Sequence, residues 1–255
     1  MLTSRRQFAL WAAVVAFATQ SASAQVQLTD SIGPTQLALE QACAAGKYTF
    51  IVFYKTQDAA TQALVKNLEQ GIAARAQEAV VLQSQVGVAA DWPLVERFGL
   101  ARAPMPMAVA VGPNNALTGI FRRDTQPAAF LNAFVAPTML QCMKHLQEGK
   151  LVFVNVHSTP EPQVPAGVAL FAGSPEFQQR TVFVSMSSSD TREGVLMGQM
   201  KVNPASIQGT TSVLIAPPGV LIGQYDTTAT ADQIGQAVHK AGKCCDDPNC
   251  KHNRP

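Results

Sequence analysis

The sequence predicts an α/β protein built from two tandem units, each a mixed sheet flanked by helices. Three observations lead there. A pattern of short apolar runs occurs twice along the 255 residues, at an offset of 102 to 104. Within each copy the runs are β-branched and aromatic, bounded by Gly or Pro, and alternate with longer stretches of helical spacing. The composition, 47% hydrophobic and 14% charged, is globular and excludes disorder, collagen and long coiled coils.

The elements follow in order. Residues 37–45 and 138–148 read as helices, each closed by a glycine, Gly46 and Gly149, where a left-handed cap is needed. Gly46-Lys47 then enters Tyr48-Thr49-Phe50-Ile51-Val52-Phe53-Tyr54, and Gly149-Lys150 enters Leu151-Val152-Phe153-Val154-Asn155-Val156, the first strands. A helix over 59–71 precedes a second strand over 79–83, matched by a strand over 181–186. Third strands over 108–111 and 213–216 run into Gly112-Pro113 and Pro217-Pro218-Gly219. Gly119-Ile120-Phe121 and Gly223-Gln224-Tyr225 start the fourth strands, and helices over 127–135 and 231–241 close the copies. Alternation followed by a hairpin implies a mixed sheet with helices on both faces. The expected boundaries are 1–24, 25–137, 138–243 and 244–255, with the join near Pro137.

Residues 1–24 have a basic start, a ten-residue apolar core and the small-x-small exit Ala22-Ser23-Ala24. These are the parts of a secretory signal, too short to span a bilayer. Arg5-Arg6 with Phe8 resembles a twin-arginine signal, which implies export to the periplasm or beyond. The expected mature chain begins at Gln25. The 19 Lys and Arg exceed the 17 Asp and Glu by two, and Arg5 and Arg6 account for that excess. A neutral mature chain makes nucleic acid and anionic membranes poor partners; another exported protein or a metal ion is the expected one.

Phe98-Gly99-Leu100-Ala101-Arg102-Ala103-Pro104, leading into the strand at 108–111, resembles the thioredoxin-like superfamily. The resemblance implies two tandem thioredoxin-like domains, with Pro104 as the cis-proline that faces the active site. It also puts Asp58-Ala59-Ala60-Thr61 where thioredoxin enzymes carry Cys-x-x-Cys. That motif works because a helix N-terminus lowers a thiol pKa. Here no cysteine lies between Cys43 and Cys142. Asp58 suits an N-cap of the helix that follows, with an anion-sensitive or ligand-contact role as the alternative. In the second copy the matching loop is His157-Ser158-Thr159-Pro160, also without cysteine, and the cis-proline position falls near Gly209-Thr210. His157 is a lone candidate base or ligand.

Cys43 and Cys142 read as buried small apolar residues, or as partners in a disulfide with each other or with the tail. The tail, Lys243-Cys244-Cys245-Asp246-Asp247-Pro248-Asn249-Cys250-Lys251-His252, gathers three thiols and an imidazole around a turn. Cys244, Cys245, Cys250 and His252 are candidate ligands for zinc or copper, with His239 one helical turn upstream. Disulfide formation in an oxidising compartment, or a reactive tail, are the competing readings. Three functions follow: a non-catalytic binding or interaction protein, a periplasmic metal-binding or delivery protein, and a thiol oxidoreductase working through tail cysteines.

Overall fold

The computed structural model describes residues 32–160 and 163–242. The expected signal peptide and the Cys/His tail both lie outside the described residues.

The first half runs α1 (Pro34–Ala44), β1 (Tyr48–Tyr54), α2 (Ala59–Ile72), β2 (Ala79–Gln85), α3 (Trp92–Arg97), β3 (Met107–Val111) and β4 (Leu117–Arg122). The second half repeats it as α4 (Pro137–Gln147), β5 (Leu151–His157), α5 (Ala166–Ala172), β6 (Thr181–Ser187), α6 (Gly194–Gln199), β7 (Thr210–Ala216), β8 (Val220–Tyr225) and α7 (Ala231–Gly242). The strand orders are β2-β1-β3-β4 and β6-β5-β7-β8. β1 pairs parallel with β2 and antiparallel with β3, and β3 pairs antiparallel with β4. The second sheet has the same orientations. The fold is thus two tandem thioredoxin-like α/β units, each a mixed four-stranded sheet.

Both central strands are apolar on both faces because both faces are covered. Phe50 and Val52 meet Leu64 and Leu68 of α2, with Phe121 and Phe130, while Ile51 and Phe53 meet Leu39 of α1 and Leu94 of α3. In the second half Val152, Val154 and Val156 pack against α4 and α6, and Phe153 packs toward Phe171 of α5 and Ile234 of α7.

Local signals behave as the residues dictate. Gly46 (φ +71°) and Gly149 (φ +76°) take the left-handed position after α1 and α4. Their N–H groups donate to Cys43 O and Leu146 O, and the next residues, Lys47 and Lys150, donate to Ala42 O and His145 O, closing both helices by one motif. Three expectations are corrected. The closing helix expected over 127–135 is a 3-10 stretch, Pro127–Ala133. Gly119 and Gly223 lie inside β4 and β8, which begin at Leu117 and Val220. A register shift at Ala110/Val111, repeated at Leu214/Ile215, extends the pairing beyond each glycine.

The halves meet where α4 crosses β4. Asn114 donates to Leu140 O (2.8 Å), and the Gln147 side chain bonds the Leu117 backbone. Gly112 leaves no room there: a Cβ would come 2.4 Å from the Leu140 side chain.

Candidate functional site

In the first half, β1 ends at Tyr54 and the chain turns through Lys55-Thr56-Gln57 into α2. Asp58 is the N-cap. Its Oδ1 accepts the Thr61 N–H (2.9 Å) and the Thr61 hydroxyl (3.0 Å). The Thr61 hydroxyl also lies 3.0 Å from Thr56 O, and the Thr56 hydroxyl reaches Asp58 Oδ2 at 3.4 Å. The Thr61 N–H, followed by the Thr61 hydroxyl, holds the Asp58 carboxyl below its ordinary range. Thr61 is buried beneath this network. The site is an exposed N-cap whose carboxylate is stabilised by Thr61.

The register sets Phe53 opposite Met107, so the residue before β3 lies beside the end of β1. That residue is Pro106. The cis bond is Met105–Pro106, which corrects the assignment of Pro104. The sequence offers Pro104-Met105-Pro106; Pro106 is buried next to the strand and Pro104 is exposed two residues farther out. In the second half the same register position falls to Thr210, which pairs with His157.

The His157 ring sits at the end of β5, with Nδ1 2.6 Å from Thr159 O. Ser158 N–H donates to Gly209 O (3.0 Å), and Gly209 N–H donates to Ser158 Oγ (3.2 Å), tying this loop to the entry of β7. The geometry therefore has a loop-anchoring role for His157 through Thr159.

Cys43 and Cys142 are free thiols and are not joined to each other. Cys43 is half-buried, with Sγ 3.7 Å from Gly112 O and 3.6 Å from Asn115 Oδ1, and burial pushes its thiol up. Cys142 is 1% exposed, and burial, with the Glu193 charge second, pushes it up to about 12. Neither has the depressed pKa of a reactive thiolate. Cys244, Cys245, Cys250 and His252 lie outside the described residues, and His239 is on the exposed side of α7. Among the described residues no three His, Cys, Asp or Glu side chains gather as a metal site.

Two buried acids escaped the sequence reading. Asp91 accepts the Thr35 N–H (3.4 Å), the Thr35 hydroxyl (2.6 Å) and the Ser84 hydroxyl (2.9 Å) at the start of α1. Glu193 accepts the Thr138 N–H (2.9 Å) at the start of α4. The signal was present: Pro34-Thr35 and Pro137-Thr138 repeat, as do the acids before α3 and α6.

No protein-family profile and no curated protein sequence matches this chain. Solved structures do. A disulphide isomerase from Xylella fastidiosa is 20% identical, covering 41% of this chain and 82% of its own, with a TM-score of 0.30. The first two thioredoxin domains of Saccharomyces cerevisiae Eps1p are 10% identical, covering 82% and 96%, with a TM-score of 0.30. The zinc-bound form of human ERp44 is 10% identical, covering 80% and 54%, with a TM-score of 0.32. The chain is thioredoxin-like in fold. That assignment stands on strand order and register rather than on these scores, and it carries no activity with it.

Proposed function

We propose that this chain is an exported, non-catalytic thioredoxin-like protein that binds or scaffolds a partner. The observation that supports this is Asp58 at the N-terminus of α2, capped onto Thr61 where the fold would otherwise place a redox thiol. A carboxylate cannot exchange disulfides, and the two thiols in the described halves are held protonated by burial. Export is supported by the basic, apolar and small-x-small segments of residues 1–24.

The test is dithiothreitol-driven insulin reduction with the mature chain, alongside C244S/C245S/C250S. A rate equal to the uncatalysed one in both is the expected result. Catalysis by the native chain that disappears in the triple variant would replace this reading with a tail-cysteine oxidoreductase. N-terminal sequencing of protein from the periplasmic fraction, expected to start at Gln25, tests the export.

A further inference from the structure

The repeat makes each half a control for the other, and the outer strand of the second sheet departs from its counterpart. β2 and β6 hold the same place, each paired on one side only, with β1 and β5. By register Val81 of β2 matches Phe183 of β6, opposite Phe50 and Phe153. The helices that follow β1 and β5 differ in length. α2 has 14 residues and carries Leu64, Leu68 and Ile72 across the sheet, with Val81 half-buried against them. α5 has 7 residues and stops about two turns short of that. Phe183 stacks on Phe153 but stays 43% exposed.

The outer strand β4 is guarded: the Gln147 amide occupies the Leu117 backbone, and the strand ends on Arg122. β6, Thr181-Val182-Phe183-Val184-Ser185-Met186-Ser187, carries no charge and no proline, two common devices that keep an outer strand from pairing. Among the described residues no strand pairs with its free side.

We infer that β6 pairs antiparallel with β6 of a second copy of this chain, joining two four-stranded sheets into one of eight strands. A two-fold axis beside Val184 overlaps the whole strand and sets Phe183 of each copy opposite the partner's Ser185. These are the two exposed residues of the strand, so each ring lies over a small side chain rather than against another ring. No like charges are opposed along the strand. Exposed Arg180, one residue before it, is carried opposite the partner's Ser188, toward the end that holds Asp190. A parallel partner would instead set the two arginines side by side. Backbone N–H and C=O groups on the free side of β6 gain partners in the shared ladder. One strand edge per copy falls short of the roughly 800 Å² per partner of a standard interface, so the dimer is weak and reversible. This contact between copies does not rest on the binding role proposed above.

The experiment is sedimentation velocity on the chain from the periplasmic fraction, with reductant so that tail thiols cannot join copies. Between about 1 and about 500 µM the mean mass should rise from one chain toward two. Ser185→Lys puts a charge on the pairing edge at an exposed position and should weaken association by more than about tenfold. Ile120→Lys, at an exposed apolar residue of β4, should leave it unchanged. Hydrogen exchange of the native chain locates the contact without a variant: amides of residues 181–187 should slow as concentration rises, and those of β4 should not. One chain's mass throughout, a dimer that Ser185→Lys leaves intact, or a dimer whose β6 amides exchange as in the monomer overturns the pairing.

Discussion

The Gln147 side chain pairs with Leu117 as a strand would: Nε2 donates to Leu117 O (2.7 Å) and Oε1 accepts the Leu117 N–H (2.9 Å). β4 is an outer strand of its sheet, so this amide occupies backbone groups that would otherwise be open to another chain. Gln147→Ala should destabilise the chain by about 1 kcal/mol, the worth of ordinary hydrogen bonds at a half-open site. The urea midpoint measures the loss, and faster exchange of the Leu117 amide locates it.

Asp58→Ala should lower the thermal midpoint by removing the N-cap of α2, whereas Asp58→Asn should keep most of it. The charge also makes the cap pH-dependent. Because the folded carboxyl lies below the ordinary value near 3.8, its contribution is complete above that pH and vanishes as pH falls through the lower folded value. Wild type and Asp58→Asn should therefore converge in acid unfolding below about pH 4. Parallel curves would remove the charge from the account.

Two helical glycines should respond oppositely to alanine. On propensity alone the change favours a helix by about 1 kcal/mol. A Cβ at Gly167 in α5 would come 2.0 Å from Ala229 O, whereas one at Gly235 in α7 meets nothing within 4 Å. Gly167→Ala should destabilise by about 1–3 kcal/mol, since overpacking against backbone outweighs propensity. Gly235→Ala should raise the midpoint. Denaturant unfolding of the two variants gives both signs.

Cys142 sets a limit at high pH. Its thiol, ordinarily near 9.0, is pushed up to about 12 by burial, so between those values the folded chain holds a proton that the unfolded chain has lost. Stability from this group is complete below pH 9.0 and declines toward pH 12, at up to about 1.4 kcal/mol per pH unit. A Cys142→Val chain should lose less stability than wild type between about pH 9 and 10.5. In native protein, Cys142 should react with a thiol reagent only as fast as the chain unfolds.

Much of this architecture was legible because both sheets rest on largely apolar central strands and on glycines whose positive φ is written into helix ends. Tyr48–Tyr54 and Leu151–His157 could be placed within a residue, and Asp58 announced its cap. Pro104 and Pro106 defeated the reading because two prolines one residue apart look alike until β-pairing chooses which abuts the strand. The Thr35–Asp91 and Thr138–Glu193 bonds span 56 and 55 residues, so no local pattern contains them. The Pro127–Ala133 stretch tightened to 3-10 geometry where Pro127 and Phe130 pack close against Gly71 of α2, a tertiary demand invisible to helical spacing.

Two like-patterned halves in one nascent chain invite misassembly, since β5 emerging from the ribosome meets a first half whose β3 has the backbone shape of β7. One buried pair acts against that exchange. Asn155 on β5 is held by the Ser212 hydroxyl on β7 at 2.6 Å, where the matching partners in the first half are Val52 and Ala108. An intruding β3 would set the Asn155 amide against a methyl group and strand it without water or partner. The Asn155–Ser212 contact therefore matches β5 to β7 and not to β3, whose Ala108 offers the amide no partner.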